Sequence, residues 1–307
     1  MEKLHDLECD NLTKHDITRL RVTDYYKYIK LLGEGTMSKV YLLQDQNDGQ
    51  CYTIKILKAV NHRSFDEINK LRIITQSRIQ GIPHFVGAHL ITDPIDNSEC
   101  LAIITKYISG TILSKVLQMK RLNHLQCMRF ARKLLLIVRD LHAIGVIHRD
   151  LKPDNILIDD NGLDVHIIDF GLAHLLSSNA TIVKLGTPLY SAPEMFTAAE
   201  LRPEFLSWTD DYSVGIILAE VYYGCKIMVP TPKASLYEML IELRQLHKRC
   251  PDILRDLSHN QAMDMIIKVL LEYNPSKRAR SSIVFNCVDA WLDENDGPSL
   301  DALLYQK

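Results

Sequence analysis

His148-Arg149-Asp150-Leu151-Lys152-Pro153-Asp154-Asn155 packs six polar side chains into eight positions, between Val146-Ile147 and Ile156-Leu157-Ile158. The flanking apolar residues read as short buried strands. A solvated surface loop accounts for the polar centre but not for those flanks. Nineteen positions after Asp150 stands Asp169-Phe170-Gly171, again behind an apolar run, Val165–Ile168. Two acids and an asparagine held at the ends of buried strands suit an oxygen-seeking cation such as Mg2+.

Upstream, Gly33-Glu34-Gly35-Thr36-Met37-Ser38-Lys39-Val40 lies between two strand patterns, Tyr28–Leu32 and Lys39–Gln44. Glycines let a backbone approach phosphates closely and aim N–H groups at anionic oxygens. Alone, such a pair is mostly an ordinary hairpin turn. A dinucleotide-binding loop needs a helix after it, and the strand pattern here argues against one. Asn47-Asp48-Gly49 signals a second hairpin, leading into a third strand, Cys51–Leu57. Lys55 in that strand shares a face with Thr53 and Leu57. A lysine among apolar neighbours either snorkels to water or needs an anion. Glu67 can supply a carboxylate, from a segment (Phe65 to Ile74) whose Phe65, Ile68 and Leu71 have helical spacing.

Leu101–Tyr107 reads as a further strand, and beyond Ser109 helical patterns take over: Leu125–Ala143, Asp211–Tyr223, Leu236–His247, Gln261–Leu271 and Ser282–Leu292. The expected class is α+β. Residues 25–108 form a small β-rich lobe and 109–292 a large α-rich lobe, joined near Thr105–Gly110. Residues 1–24 read as a polar extension, and 293–307 as a tail opening with the acidic turn Asp293–Asp296.

The 307 residues are 47% hydrophobic, ample for such a core. A formal net charge of −2 supplies no global positive field, so neither nucleic acid nor an anionic membrane is an expected partner. The seven cysteines are scattered, odd in number and without a C-x-x-C pair, which points to a reducing compartment and no zinc site. Met1–Leu20 is mixed and charged, unlike a signal peptide, and the apolar runs Leu134–Val138 and Val214–Val221 are too short to span a bilayer. A cytoplasmic location, with the nucleus as alternative, is expected.

Taken in order, the glycine loop, Lys55, Glu67, the His148–Asn155 segment, Asp169-Phe170-Gly171 and Ala192-Pro193-Glu194 resemble the eukaryotic-type protein kinase family, over about Tyr25 to Leu292. The resemblance implies a bilobal fold that uses ATP and Mg2+. It implies that Gly33, Gly35 and Ser38 cover the phosphates, and that Lys55, paired with Glu67, bridges two of them. Asn155 and Asp169 would hold the metal, Asp150 would orient or deprotonate the acceptor hydroxyl, and Lys152 would neutralise charge on the moving phosphoryl group. The adenine would lie between Val40 and Thr53 on one side and Leu157 on the other. Thr105 would be the gatekeeper, and backbone groups of Lys106, Tyr107 and Ile108 would meet the base edge. Lys152 and Gly186-Thr187 resemble the serine/threonine class, whose substrates are protein hydroxyls, and Thr187 would contact Asp150 and Lys152. Leu71, His148 and Phe170 resemble the family's packed spine. Glu194 would pair with Arg278, and Asp210, Tyr212, Ser213 and Gly215 would begin its central helix.

Some positions depart from the family pattern. Ser38 replaces a glycine, Thr53 an alanine and Lys106 an acid, and one extra residue falls in the Asp159–Leu163 turn. None removes a chemical group the reaction needs. Arg149 before Asp150 suggests activation by a phosphate, yet the usual acceptor place holds Val183, leaving Thr181, Ser178 or Ser177. Subfamily resemblance, to the AGC and calcium/calmodulin-dependent groups, is loose. A pseudokinase scaffold is the rival reading. It would require loss of Lys55, Asp150, Asn155 or Asp169, and all are present.

Overall fold

The computed structural model describes residues 19, 21–35, 38–58, 60–92, 99–119, 121–159, 164–177, 186–196, 205–232, 235–259 and 261–293. The candidate phosphorylation residues Thr181 and Ser178, and the tail beyond Asp293, lie outside them. The chain divides into two compact units, residues 1–78 with 82–108, and residues 79–81 with 109–307.

The first unit is a five-stranded antiparallel sheet in the order β1-β2-β3-β5-β4, with one helix. β1 is Tyr26–Glu34, β2 Ser38–Asp45 and β3 Cys51–Leu57; α1 is His62–Gln76, β4 Phe85–Thr92 and β5 Glu99–Lys106. The Asn47-Asp48-Gly49 turn joins β2 to β3, with Gly49 at φ +73°, a conformation glycine adopts without strain. α1 starts at a capping box, in which Asn61 and Ser64 each bond the other's backbone N–H. β4 is absent from the sequence reading: Gly87, Ala88 and His89 dilute its β character, and a register shift between Phe85 and Gly87 breaks its alternation.

The register sorts the sheet's side chains. Val40 pairs with Lys55, Leu42 with Thr53, Lys55 with Ile103 and Thr53 with Thr105, so these six share one face. The opposite face is a core of Leu43, Ile54, Ala102 and Ile104, with Tyr26, Tyr41 and Tyr52 against it. Val22 belongs to this core at 6% exposure. The expected polar extension over 1–24 is therefore not wholly separate from the sheet, because an apolar side chain close to its end gains from burial.

The second unit is mostly helical. β6 (Thr111–Ile112) and α2 (Leu113–Met119) precede α3, His124–Ala143, whose N-cap Asn123 forms a capping box with Gln126. β7 (Val146–Ile147), β8 (Ile156–Ile158), β9 (Val165–Ile167) and β10 (His174–Leu175) follow, with β6-β8-β9 forming one small sheet and β10-β7 another. α4 (Leu206–Tyr223) is buried nearly all round and ends at the left-handed Gly224. α5 is Leu236–Leu257, α6 Ala262–Leu270 and α7 Ser281–Asp293. α5 runs nearly three turns beyond the expected His247, to Leu257, despite Pro251 inside it, because Cys250 and Leu254 on that extension are buried. The tripeptide Ile79–Gly81, between α1 and β4, packs with this unit: Gly81 accepts the Ile167 N–H at 2.9 Å. Among the described residues no helix is long and apolar enough to cross a membrane.

Candidate active site

In the first unit Lys55 Nζ donates to Glu67 Oε1 at 2.7 Å. Strand β3 presents Lys55 on the face it shares with Val40, Thr53 and Thr105, and the buried face of α1 presents the carboxylate. Burial of a lysine this close to apolar neighbours is offset by the charge-assisted bond.

The glycine loop is a tight reversal. Glu34 pairs with Lys39, Gly33 with Val40, and Gly35 N–H donates to Ser38 O at 2.8 Å. Thr36 and Met37 lie outside the described residues. A Cβ added at Gly33 would meet nothing within 4 Å, and one at Gly35 only the Ser38 carbonyl at 3.9 Å. Neither glycine is at positive φ. The chain's own packing therefore does not demand glycine at either place.

β5 ends in the Thr105–Ile108 stretch. Lys106 N–H donates to His84 O at 2.9 Å and Tyr107 N–H to Cys51 O at 3.2 Å. Of the backbone groups expected at the base edge, the Lys106 and Tyr107 N–H are thus used inside the protein. Leu32 is a residue the sequence reading missed. Its neighbour Leu31 pairs with Tyr41, a member of the opposite-face core, and the β1 irregularity falls between Leu31 and Gly33. Leu32 falls at that irregularity, beside the Gly33–Val40 pair, and is 37% exposed. The signal available was an apolar residue immediately before Gly33.

In the second unit the polar segment closes on itself. Asp150 Oδ1 accepts from Thr187 N–H at 2.8 Å and from Thr187 Oγ1 at 2.7 Å. Its Oδ2 accepts from Lys152 Nζ at 2.7 Å. Lys152 also donates to Thr187 Oγ1 at 2.8 Å. The contacts expected of Thr187 are thus present. Asn155 Nδ2 donates to Asp150 O at 2.8 Å and reaches Asp150 Oδ2 at 3.2 Å. With its amide nitrogen so engaged, the Asn155 carbonyl oxygen is turned the other way.

The β8–β9 hairpin brings the second acid alongside. Ile156 pairs with Ile167, and the ladder continues as Ile168 N–H donates to Asn155 O at 2.8 Å. Asn155 and Asp169 therefore emerge at the same end of the hairpin. Leu157, in β8, is half-buried between Ile112 and His166. Arg149 (φ +69°) and Asp169 (φ +67°) both occupy left-handed backbone, a strained state that persists only where surroundings enforce it. Asp210 enforces the first: its carboxylate accepts His148 N–H at 2.7 Å, Arg149 N–H at 2.8 Å and His142 Nε2 at 3.0 Å. Burial raises the Asp210 pKa, but the hydrogen bond and charge of His142 and the backbone donors outweigh it and leave it lowered. Burial holds His148 below the usual imidazole range, and its ring packs edge-on to buried Phe170 at 5.0 Å. Leu71, the third expected spine member, is buried in the first unit.

Arg278 is fully buried and grips Glu194 through both terminal nitrogens at 2.6 and 2.9 Å, while also donating to Trp208 O and Glu272 O. The expected pair thus ties the Ala192-Pro193-Glu194 turn beneath Thr187 to the helical core.

A family model described as protein kinase domain matches residues 26–288. Similar curated proteins include NUAK family SNF1-like kinase 1 of Mus musculus, 31% identical over 65% of this chain and 30% of that protein. CBL-interacting protein kinase 8 of Oryza sativa subsp. japonica is 28% identical over 91% of this chain and 60% of its own length. The carbon catabolite-derepressing protein kinase of Saccharomyces cerevisiae is 30% identical over 63% of this chain and 30% of its own. The chain spans between about a third and three fifths of the length of these relatives. With the matched model covering most of its length and the charged groups assembled as above, the chain belongs to the protein kinase domain family.

Proposed function

We propose that the protein transfers the γ-phosphoryl group of ATP to serine or threonine hydroxyls of protein substrates. The observation that carries this reading is the closed network of Asp150, Lys152, Thr187 and Asn155. Such a network fixes a carboxylate and a cation side by side, and phosphoryl transfer asks for little else than positioning and prearranged charge. The acceptor oxygen forms a bond to the γ-phosphorus, the bond from that phosphorus to the bridging oxygen breaks, and ADP departs. Asp150 orients the hydroxyl and takes its proton. Lys152 offsets charge on the equatorial oxygens. In this reading residues 25–108 and 109–292 are the two lobes, and both contribute to the nucleotide site.

Val40, Thr53 and Leu32 supply apolar surface for the base, with Leu157 from the other lobe, and Ile108 N–H meets its edge. Lys55, fixed by Glu67, binds the phosphates, and the open space over Gly33 and Gly35 admits them. Mg2+ fits Asn155 and Asp169, because two hard oxygen donors with phosphates and water completing the shell is its usual protein complement. When bound, it would neutralise phosphate charge. The described cysteines are all free, which supports a reducing compartment, cytoplasm or nucleus.

The test is incorporation of label from γ-labelled ATP into a degenerate peptide library with serine and threonine acceptors, with Asp150→Asn and Asp169→Ala as controls. Transfer by the native chain and its loss in both controls is expected. A folded native chain that binds magnesium ATP without transfer would establish the pseudokinase reading instead.

A further inference from the structure

We infer that Val22, outside the matched kinase domain, is a positioning residue for the nucleotide face of the five-stranded sheet. The inference rests on the proposed ATP reading.

Residues around Val22 cross the sheet on the side away from Lys55. Arg19 forms a parallel bridge with Leu90 on β4, one edge of the sheet, and its guanidinium meets Glu99 at 2.9 Å. Past Val22 the chain turns, with Asp24 N–H donating to Arg21 O at 3.0 Å and Tyr25 N–H to Val22 O at 3.2 Å. Gln46, at the β2–β3 turn, then fastens the far end, its N–H on Tyr25 O and its Nε2 on Thr23 O, each at 2.9 Å. The segment is a strap from β4 to the β2–β3 turn.

The strap's ends are exposed and contribute little. Arg21, Thr23, Asp24 and Tyr25 face water, and Val22 is the one buried side chain among the described residues of the strap. It packs in the cluster that holds Ile54, which has no exposed surface. Ile54 sits in β3 between Thr53 and Lys55, whose side chains pass to the opposite face. A close-packed interior transmits displacement. Loosening the cluster that backs Ile54 therefore moves the two residues that the ATP reading places against base and phosphates.

Val22→Ala and Val22→Ile are compared with the native chain, with KM for magnesium ATP and KM for a serine/threonine peptide measured separately. Val22→Ala is expected to raise the ATP KM about fivefold, leave the peptide KM unchanged, and be rescued by Val22→Ile. A merely structural role predicts something else: a smaller active fraction, hence lower kcat per mole, with both KM values unmoved. That result overturns the inference. Should Val22→Ala fail to fold, Val22→Thr keeps the volume but places a hydroxyl in the apolar cluster, and is expected to raise the ATP KM in the same direction; no rise there overturns it too. A native chain without phosphoryl transfer overturns the kinase reading and this inference with it, whereas an active native chain with an indifferent ATP KM overturns this inference alone.

Discussion

Asp210 Oδ1 accepts the backbone N–H of Arg149 at 2.8 Å and so holds that residue left-handed, immediately before Asp150. The strain at Arg149 is stored by a buried carboxylate on α4 that also binds His148 N–H. Asp210→Ala leaves these donors unsatisfied in the core. The expected loss is about 3–5 kcal/mol of stability, the range for breaking a buried charged network from one side. Urea denaturation checks it. Turnover should fall with it, since Asp150 loses its fixed backbone. A variant with native turnover would show that Asp210 does not position the segment.

Thr187 donates twice to one oxygen of Asp150, through its backbone and its hydroxyl. Thr187→Val keeps the first bond and the shape but removes the second. A fall in kcat of about 10²-fold, the usual effect of one lost donor at a reacting charge, is expected with the melting temperature nearly unchanged. Thr187→Ser retains the hydroxyl and should recover most of the loss. Steady-state kinetics on the three proteins decides the matter.

Gly33 and Gly35 offer separation of folding from binding. A Cβ at either place meets open space or a 3.9 Å contact, and neither backbone needs positive φ. Gly33→Ala and Gly35→Ala should leave the unfolding midpoint unchanged or slightly raised. The ATP KM should rise about tenfold, because the added methyl obstructs close approach of phosphates. An unmoved ATP KM would mean that the loop does not cover the nucleotide.

His247 gives the stability a pH dependence. It is buried, its Nδ1 lies 2.8 Å from Tyr212 OH, and burial, helped by the charge of Arg278, pushes its pKa down to about 4. The unfolded chain binds a proton near the ordinary value of 6.5 while the folded one refuses it until about 4. Stability is therefore full above 6.5 and declines as pH falls toward 4, by on the order of 3 kcal/mol over the whole window. His148 and His166, also lowered by burial, act in the same direction. His247→Gln should flatten the slope of unfolding free energy between pH 7 and pH 5, as read from denaturant titrations at each pH. An unchanged slope would exclude His247 as its source.

Much of this was legible in the sequence, and the reasons differ by element. β3 spans the expected Cys51–Leu57, its start set by the Asn47-Asp48-Gly49 turn before it. The charged segment was legible because few arrangements excuse so many polar groups between buried strands. β4 was not, since its glycine and histidine carry no periodic signal and only the neighbouring strand makes it one. The Lys106 and Tyr107 N–H groups illustrate a different limit. Whether a donor is free depends on carbonyls at His84 and Cys51, and no local pattern reports on partners so far along the chain. Val22 was hidden by its surroundings, with Arg21 before it and Thr23-Asp24 after it giving no periodic apolar signal.

The excursion of Ile79–Gly81 bears on how the polypeptide can be divided. A gene split after Ile108 would give a first fragment carrying a three-residue plug whose seat is in the second, including the Gly81 carbonyl that Ile167 requires. Neither product would be self-sufficient. Made together they should complement one another, and made singly they should burden the cell's quality-control machinery.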